Sequence, residues 1–181
     1  GYRGANELLA MRSGRLVDIA PSLGIDAPTR QAIGVASWDM DGDGREEIYV
    51  LNTDSYSGEK AFSDNLFQMG KSGRFDDVMA DAVNAESRSS FAGRSVACVD
   101  RSGRGSYAVA AASYGRPLLL YEMTDVAKRA VRDVAKAANF VGVTGGRGIT
   151  AGPLAPDKDY SKTPGMDIFM DNENGPSFFF R

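Results

Sequence analysis

The stretch "WDMDGDGREEIYV", Trp38 to Val50, sets Asp39, Asp41 and Asp43 two residues apart and adds Glu46 and Glu47 before Ile48-Tyr49-Val50. Three ionised carboxylates in one tight loop repel one another, so this spacing calls for a cation. Counted from Asp39, the first, third and fifth positions are Asp39, Asp41 and Asp43. Gly44 is sixth, Arg45 seventh and Glu47 ninth. Hard oxygen donors at alternate positions around a glycine-enabled turn suit Ca²⁺, which takes six to eight oxygens at about 2.3–2.6 Å. In this reading Arg45 supplies its backbone carbonyl while its charged side chain points to solvent, and Glu47 closes the site. Mg²⁺ fits less well, because it prefers to keep several waters. An EF-hand would need Glu at the twelfth position and flanking helices. The twelfth residue is Val50, and both flanks read as strands. The competing readings are a solvated acidic turn without metal and a carboxylate pair for acid–base work.

Other chemistry is sparse. The chain has no His, which removes the commonest general base and most hydrolase triads and zinc sites. Tyr56, Asp64, Arg94, Arg101 and Arg147 are the residues an enzyme could use, but their spacing forms no catalytic set, so no enzymatic activity is expected. The single Cys98 lies in the apolar run "RSVACVD" and reads as a small buried hydrophobe.

The elements that must carry the loop come from a repeat. "AIGVASWDMDGDG" from Ala32, "FAGRSVACVDRSGRG" from Phe91 and "TGGRGITAGP" from Thr144 begin alike, anchored on Gly34, Gly93 and Gly146. Each is followed by short runs of Val, Ile, Leu, Phe and Tyr between Gly, Asn, Asp and Ser turns. Four strands per unit at a period of about 50–60 residues is the pattern of β-propeller blades. The fold class is therefore all-β, a propeller segment of four-stranded antiparallel blades. Residues 1–31 read as the end of a preceding blade, 32–90 as the blade with the acidic loop, 91–143 as a second blade with a degenerate loop, and 144–181 as the start of a further one. Small residues in each first strand fit a place where blades crowd. In "EEIYVLN" Ile48 and Val50 share one face, and Tyr49 and Leu51 the other. For Met123 to Asn139 a single amphipathic helix competes with a loop, a strand at "AVRDV" and a helical turn at "VAKAAN"; alignment with the other units favours the strand.

In the second unit Asp100 keeps the first loop position, but Ser102, Arg104 and Ala108 replace the other acids. The Arg104 guanidinium is expected to stand in for the cation there. In the third, Pro153 and Pro164 mark a longer rigid loop without alternating carboxylates. One calcium ion is expected in all. Two whole and two partial blades are too few for a closed ring, so the chain reads as a segment of a longer one, with exposed strand edges.

Hydrophobic content of 43% and charged content of 25% are those of a globular protein, not a disordered one. The net charge of −3 without a basic run argues against nucleic acid. No apolar stretch approaches the twenty residues that a membrane-spanning helix needs.

The strand, D-x-D-x-D-G-x-x-[DE] loop and second strand resemble the FG-GAP repeats of integrin α-type propellers. More narrowly, "GVASWDMDGDGREEIYVLNT", "SFAGRSVACVDRSGRG", "TGGRGITAGP" and "DIFMDNENGPSFFF" resemble the cartilage acidic protein family, whose members join an FG-GAP propeller to an ASPIC/UnbV region. The resemblance implies a secreted or surface-exposed calcium-binding propeller, seven-bladed in full, that contacts protein or glycan partners outside the cell. Its calcium ligands would be Asp39, Asp41, Asp43, the Arg45 backbone and Glu47. This chain lacks the ASPIC/UnbV region. Alternatives are a structural subunit of a filament or surface assembly, using aromatics of "SYSGEKAF" or "FFF" at an interface, and a polysaccharide-acting propeller enzyme.

Overall fold

The computed structural model describes residues 4–181. The chain is all-β, with one short helix and two 3₁₀ turns among the described residues. Strands β1 (Leu9–Arg12) and β2 (Arg15–Asp18) form a hairpin that leads into the one-turn helix α1 (Ala20–Leu23). Next, β3 (Ala32–Trp38), β4 (Glu47–Asn52), β5 (Asn65–Met69) and β6 (Phe75–Asp77) build an antiparallel sheet in chain order. The second sheet is formed by β7 (Gly93–Val99), β8 (Ala108–Ser113), β10 (Leu119–Asp125) and β11 (Ala130–Asp133). Between β8 and β10, the two-residue β9 (Arg116–Pro117) pairs outside that sheet with β12 (Val143–Thr144). Finally, β13 (Ile149–Gly152), β14 (Asp167–Met170) and β15 (Phe178–Phe180) form a three-stranded sheet.

The sheets pack face to face, and period-2 alternation divides their side chains between layers. Tyr49 and Leu51 of β4 enter a core shared with Val109, Ala111, Tyr121 and Val131 of the second sheet. Val50 packs with Ala20, Ile25 and Phe67 on the opposite face, and Ile48 joins them there. The expected division of "EEIYVLN" is what the structure has. β8 shows why an alanine run suits a sheet covered on both sides. Val109 and Ala111 face the first sheet, whereas Ala108, Ala110 and Ala112 face Leu118, Phe140, Ile168 and Met170.

Small residues in the first strands are required by the neighbouring sheet. A Cβ on Gly93 would lie 2.5 Å from Leu51 Cγ, and one on Gly146 would lie 2.6 Å from Ala112 Cβ. The glycine alignment does not survive as register, however. Register places Gly93 at the position of Ala32 and Ser95 at that of Gly34, and a bulge falls between the two positions in both strands. The bulged residues are Ile33 and Arg94.

Met123–Asn139 is not one helix. β10 ends at Asp125, a turn follows, and β11 covers "AVRD". The segment after it makes one helical turn, with Ala138 N–H donating to the Val134 carbonyl at 2.9 Å. Phe178 and Phe180 pack on the second core, while Phe179 remains 47% exposed.

Cys98 is buried in the first core, and burial raises its thiol to about 12. A thiolate is the reactive form. Iodoacetamide at pH 8 is therefore expected to leave native Cys98 unmodified and to alkylate it only after denaturation. Mass spectrometry of the intact chain checks this; labelling of the native protein would contradict the packing.

Candidate metal site

The acidic loop is the β3–β4 hairpin connection, so its ends are fixed by the Trp38–Glu47 pair and the ladder behind it. Gly42 and Gly44 adopt φ of 79° and 84°, the left-handed region that lets the chain curl back on itself. The curl wraps the loop around Asp39. Its Oδ1 accepts from Gly42 N–H at 2.7 Å and Asp43 N–H at 3.1 Å, and its Oδ2 accepts from Gly44 N–H at 2.9 Å. Asp41 Oδ1 accepts from Asp43 N–H at 3.0 Å, and Asp43 Oδ1 from Arg45 N–H at 2.9 Å. Each aspartate thus spends lone pairs on the turn and keeps others free.

Carboxylate oxygens of Asp39, Asp41 and Asp43 lie within 4.8 Å of one another. Two side chains touch this group, and the first, Gln68, is not legible in the sequence. Gln68 of β5 donates its side-chain amide to Asp41 Oδ2 at 2.6 Å. The Arg45 guanidinium does not simply extend into solvent; it folds back on Asp43 Oδ2, with Nη2 at 2.5 Å and Nε at 3.0 Å. This hydrogen bond holds the Asp43 carboxyl below its ordinary value. Arg45 partly offsets the negative charge, but from the exposed rim of the loop.

Glu47 is not a fourth member of the cluster. It is 2% exposed, and Oε2 accepts from Met40 N–H at 2.7 Å. Burial raises its carboxyl to about 7; the Met40 bond opposes this, while Asp41, Asp39 and Asp43 add to it. Burial beside three other carboxylates disfavours its charged form, and among the described residues no Lys or Arg forms an ion pair with it; a cation at the loop would favour that form. The donor set therefore fits a divalent cation held mainly by oxygen.

The second loop is built differently. Asp100 accepts from the backbone N–H groups of Arg104 at 3.1 Å and Gly105 at 2.7 Å, and from Ser102 Oγ at 3.3 Å. Arg104 reaches Asp100 through its backbone; among the described residues its guanidinium makes no ion pair there. The expected guanidinium-for-cation replacement is thus corrected: the turn's own N–H groups and Ser102 bond the Asp100 carboxylate. The third connection is organised around buried Asp167, which accepts from Lys158 Nζ and Ala155 N–H, both at 2.9 Å, and from the Tyr160 hydroxyl. Burial opposes ionisation of Asp167, but these donors outweigh it and hold its carboxyl down at about 2.

The residues considered for catalysis separate into three places. Asp64 is enclosed with Lys60, Tyr49 and Asn52. Arg101 pairs with Glu122 at 2.8 Å. Tyr56, Arg94 and Arg147 meet at the end of the sheets remote from the acidic loop. No helix of the described residues is long and apolar enough to cross a membrane.

No family model matches the sequence. Among curated proteins the chain is similar to cartilage acidic protein 1 of Homo sapiens, with 42% identity over 99% of the chain and 29% of that protein. The Mus musculus protein of the same name is 41% identical over 99% of the chain and 30% of its own length. The Xenopus tropicalis one is 40% identical over 100% and 30%. The chain therefore spans about 30% of the length of these relatives.

Proposed function

Taking as premise that the chain belongs to the cartilage acidic protein family over the segment it spans, we propose that it is part of an extracellular, calcium-binding, non-catalytic β-propeller that serves protein or glycan interactions. The observation that carries the calcium assignment is the convergence of Asp39, Asp41 and Asp43 within 4.8 Å beside the buried Glu47 carboxylate. Two four-stranded sheets in chain order, stacked face to face, support the blade reading. Exposed Ile33 and Val35 on β3, and Phe169 and Phe179 paired across β14 and β15, are the faces against which further blades would pack. The ion acts as a clamp on a hairpin, and the residues considered for catalysis lie in three separate places.

Extracellular calcium modules bind with a Kd of about 10⁻⁴ M, so about 1 mM calcium would stabilise the fold by about 1.4 kcal/mol. For a chain of this size that corresponds to a rise of about 3–6 °C in melting temperature. Scanning calorimetry in calcium and in chelator tests it. Equal melting temperatures would remove the calcium reading, while Mg²⁺ acting as well as Ca²⁺ would exclude a calcium-selective site.

A further inference from the structure

At the end of the sheets opposite the acidic loop, side chains from three successive sheets converge on Tyr56. Arg94 is the residue at the β7 bulge, and a bulge re-aims its side chain out of the ladder. Its guanidinium lies 4.0 Å from the Tyr56 ring centroid and 4.9 Å from that of Tyr114, with Nη2 donating to the Tyr56 carbonyl at 2.5 Å. Arg147, just before β13, donates to Tyr56 Oη at 3.2 Å and to Glu173 Oε1 at 2.7 Å. Two guanidinium groups therefore flank one tyrosine, and one carboxylate, Glu173, pairs with Arg147 and accepts from the Tyr56 hydroxyl at 3.2 Å.

That arrangement is short of negative charge. Glu173 pairs with Arg147, and its carboxyl is held down first by the Arg147 hydrogen bond, with Arg94 adding to the effect. Among the described residues Arg94 has no carboxylate within ion-pair distance, and its Nε is buried without a hydrogen-bond partner. Tyr56 is 58% exposed and Arg147 is exposed, so the group opens on solvent. Aromatic stacking fixes the plane of the Arg94 guanidinium, which lowers the entropy lost when an acceptor docks. β3 separates this end from the acidic loop by about 20 Å, at roughly 3.3 Å per residue.

We infer that the Arg94–Tyr56–Arg147 group is a docking point for a carboxylate side chain of a protein partner. Arg94, which has no carboxylate partner among the described residues, and Arg147, already paired with Glu173, leave one uncompensated positive charge that suits one carboxylate. A polysulfated glycan would need a longer cationic stripe than this group provides. The inference is independent of the calcium reading, since the two sites lie at opposite strand ends.

Saturation-transfer NMR on the whole protein, in calcium and in chelator, tests it with three probes. These are acetyl-Gly-Glu-Gly-amide, its neutral isostere acetyl-Gly-Gln-Gly-amide, and a chondroitin sulfate tetrasaccharide. The Glu peptide is expected to bind at least about fivefold more tightly than the Gln peptide, and Arg94→Gln to abolish that difference. Glu173→Gln removes the competing carboxylate and should tighten binding of the Glu peptide about two- to fivefold, a gain that a purely structural role would not produce. Binding of the tetrasaccharide with a silent Glu peptide would overturn the inference in favour of a glycan. So would equal binding of both peptides, or a Glu173→Gln variant that binds no better. Unchanged results in chelator are expected, and a loss there would tie the site to the metal.

Discussion

Replacing Lys60 by Met is expected to cost about 3–5 kcal/mol and to lower the melting temperature by more than about 6 °C. Lys60 and Asp64 form an ion pair whose side chains are both 0% exposed. Burial pushes the lysine down and the aspartate up, and their mutual attraction opposes both shifts. Further hydrogen bonds surround the pair. Asp64 also accepts from Tyr49 Oη at 2.8 Å and Asn52 N–H at 2.7 Å, while Lys60 Nζ donates to the Asn52 carbonyl at 2.9 Å. Removing only the lysine leaves a buried carboxylate with no countercharge, which is the costly way to break such a pair. Adding Asp64→Asn to Lys60→Met keeps an acceptor for Asn52 and removes the stranded charge, so the double variant should regain part of the loss. Urea unfolding of the two variants decides the matter. A single variant within about 1 kcal/mol of the parent would mean that the pair is not buried and ionised as described.

Within the acidic loop, Asp39→Ala should be more damaging than Asp41→Ala, and for a separable reason. Asp39 holds three backbone N–H groups of the turn, so its loss is expected to cost about 1–3 kcal/mol even in chelator. Asp41 accepts from Asp43 N–H and Gln68, and its loss without calcium should be about 1 kcal/mol. In about 1 mM calcium both variants should lose a further ~1 kcal/mol, because a tenfold weaker site retains only about 0.4 kcal/mol of linkage. Paired denaturation curves with calcium and with chelator resolve the two contributions. An Asp41→Ala penalty identical in both conditions would count against a metal role for that carboxylate.

What could be read from the sequence was local. Alternation in "EEIYVLN" sorts residues between two cores, and the spacing of Asp39, Asp41 and Asp43 brings their oxygens together because it sits on a hairpin with glycines at the left-handed positions. What could not be read was pairing across distance. Gln68 comes to Asp41 from another strand, and Lys60 meets Asp64 because a loop folds over the sheet. The two-residue ladder of β9 and β12 is too short to show any periodicity. Arg104 was misread because a side-chain cation looks like a substitute for a metal, whereas the turn satisfies Asp100 with its own backbone. Gly93 matches Ala32 and not Gly34 in register, because any small residue meets the crowding there and a glycine alone does not fix the register.

Terbium luminescence tests the central claim most directly. Tb³⁺ occupies oxygen-rich calcium sites, and the chain's single tryptophan, Trp38, directly precedes Asp39. Excitation of Trp38 should yield sensitised terbium emission that saturates at about one ion per chain, is reversed by excess calcium, and is lost in Asp41→Ala. Absence of sensitised emission, or emission that persists unchanged in Asp41→Ala, would contradict a calcium site in the acidic loop.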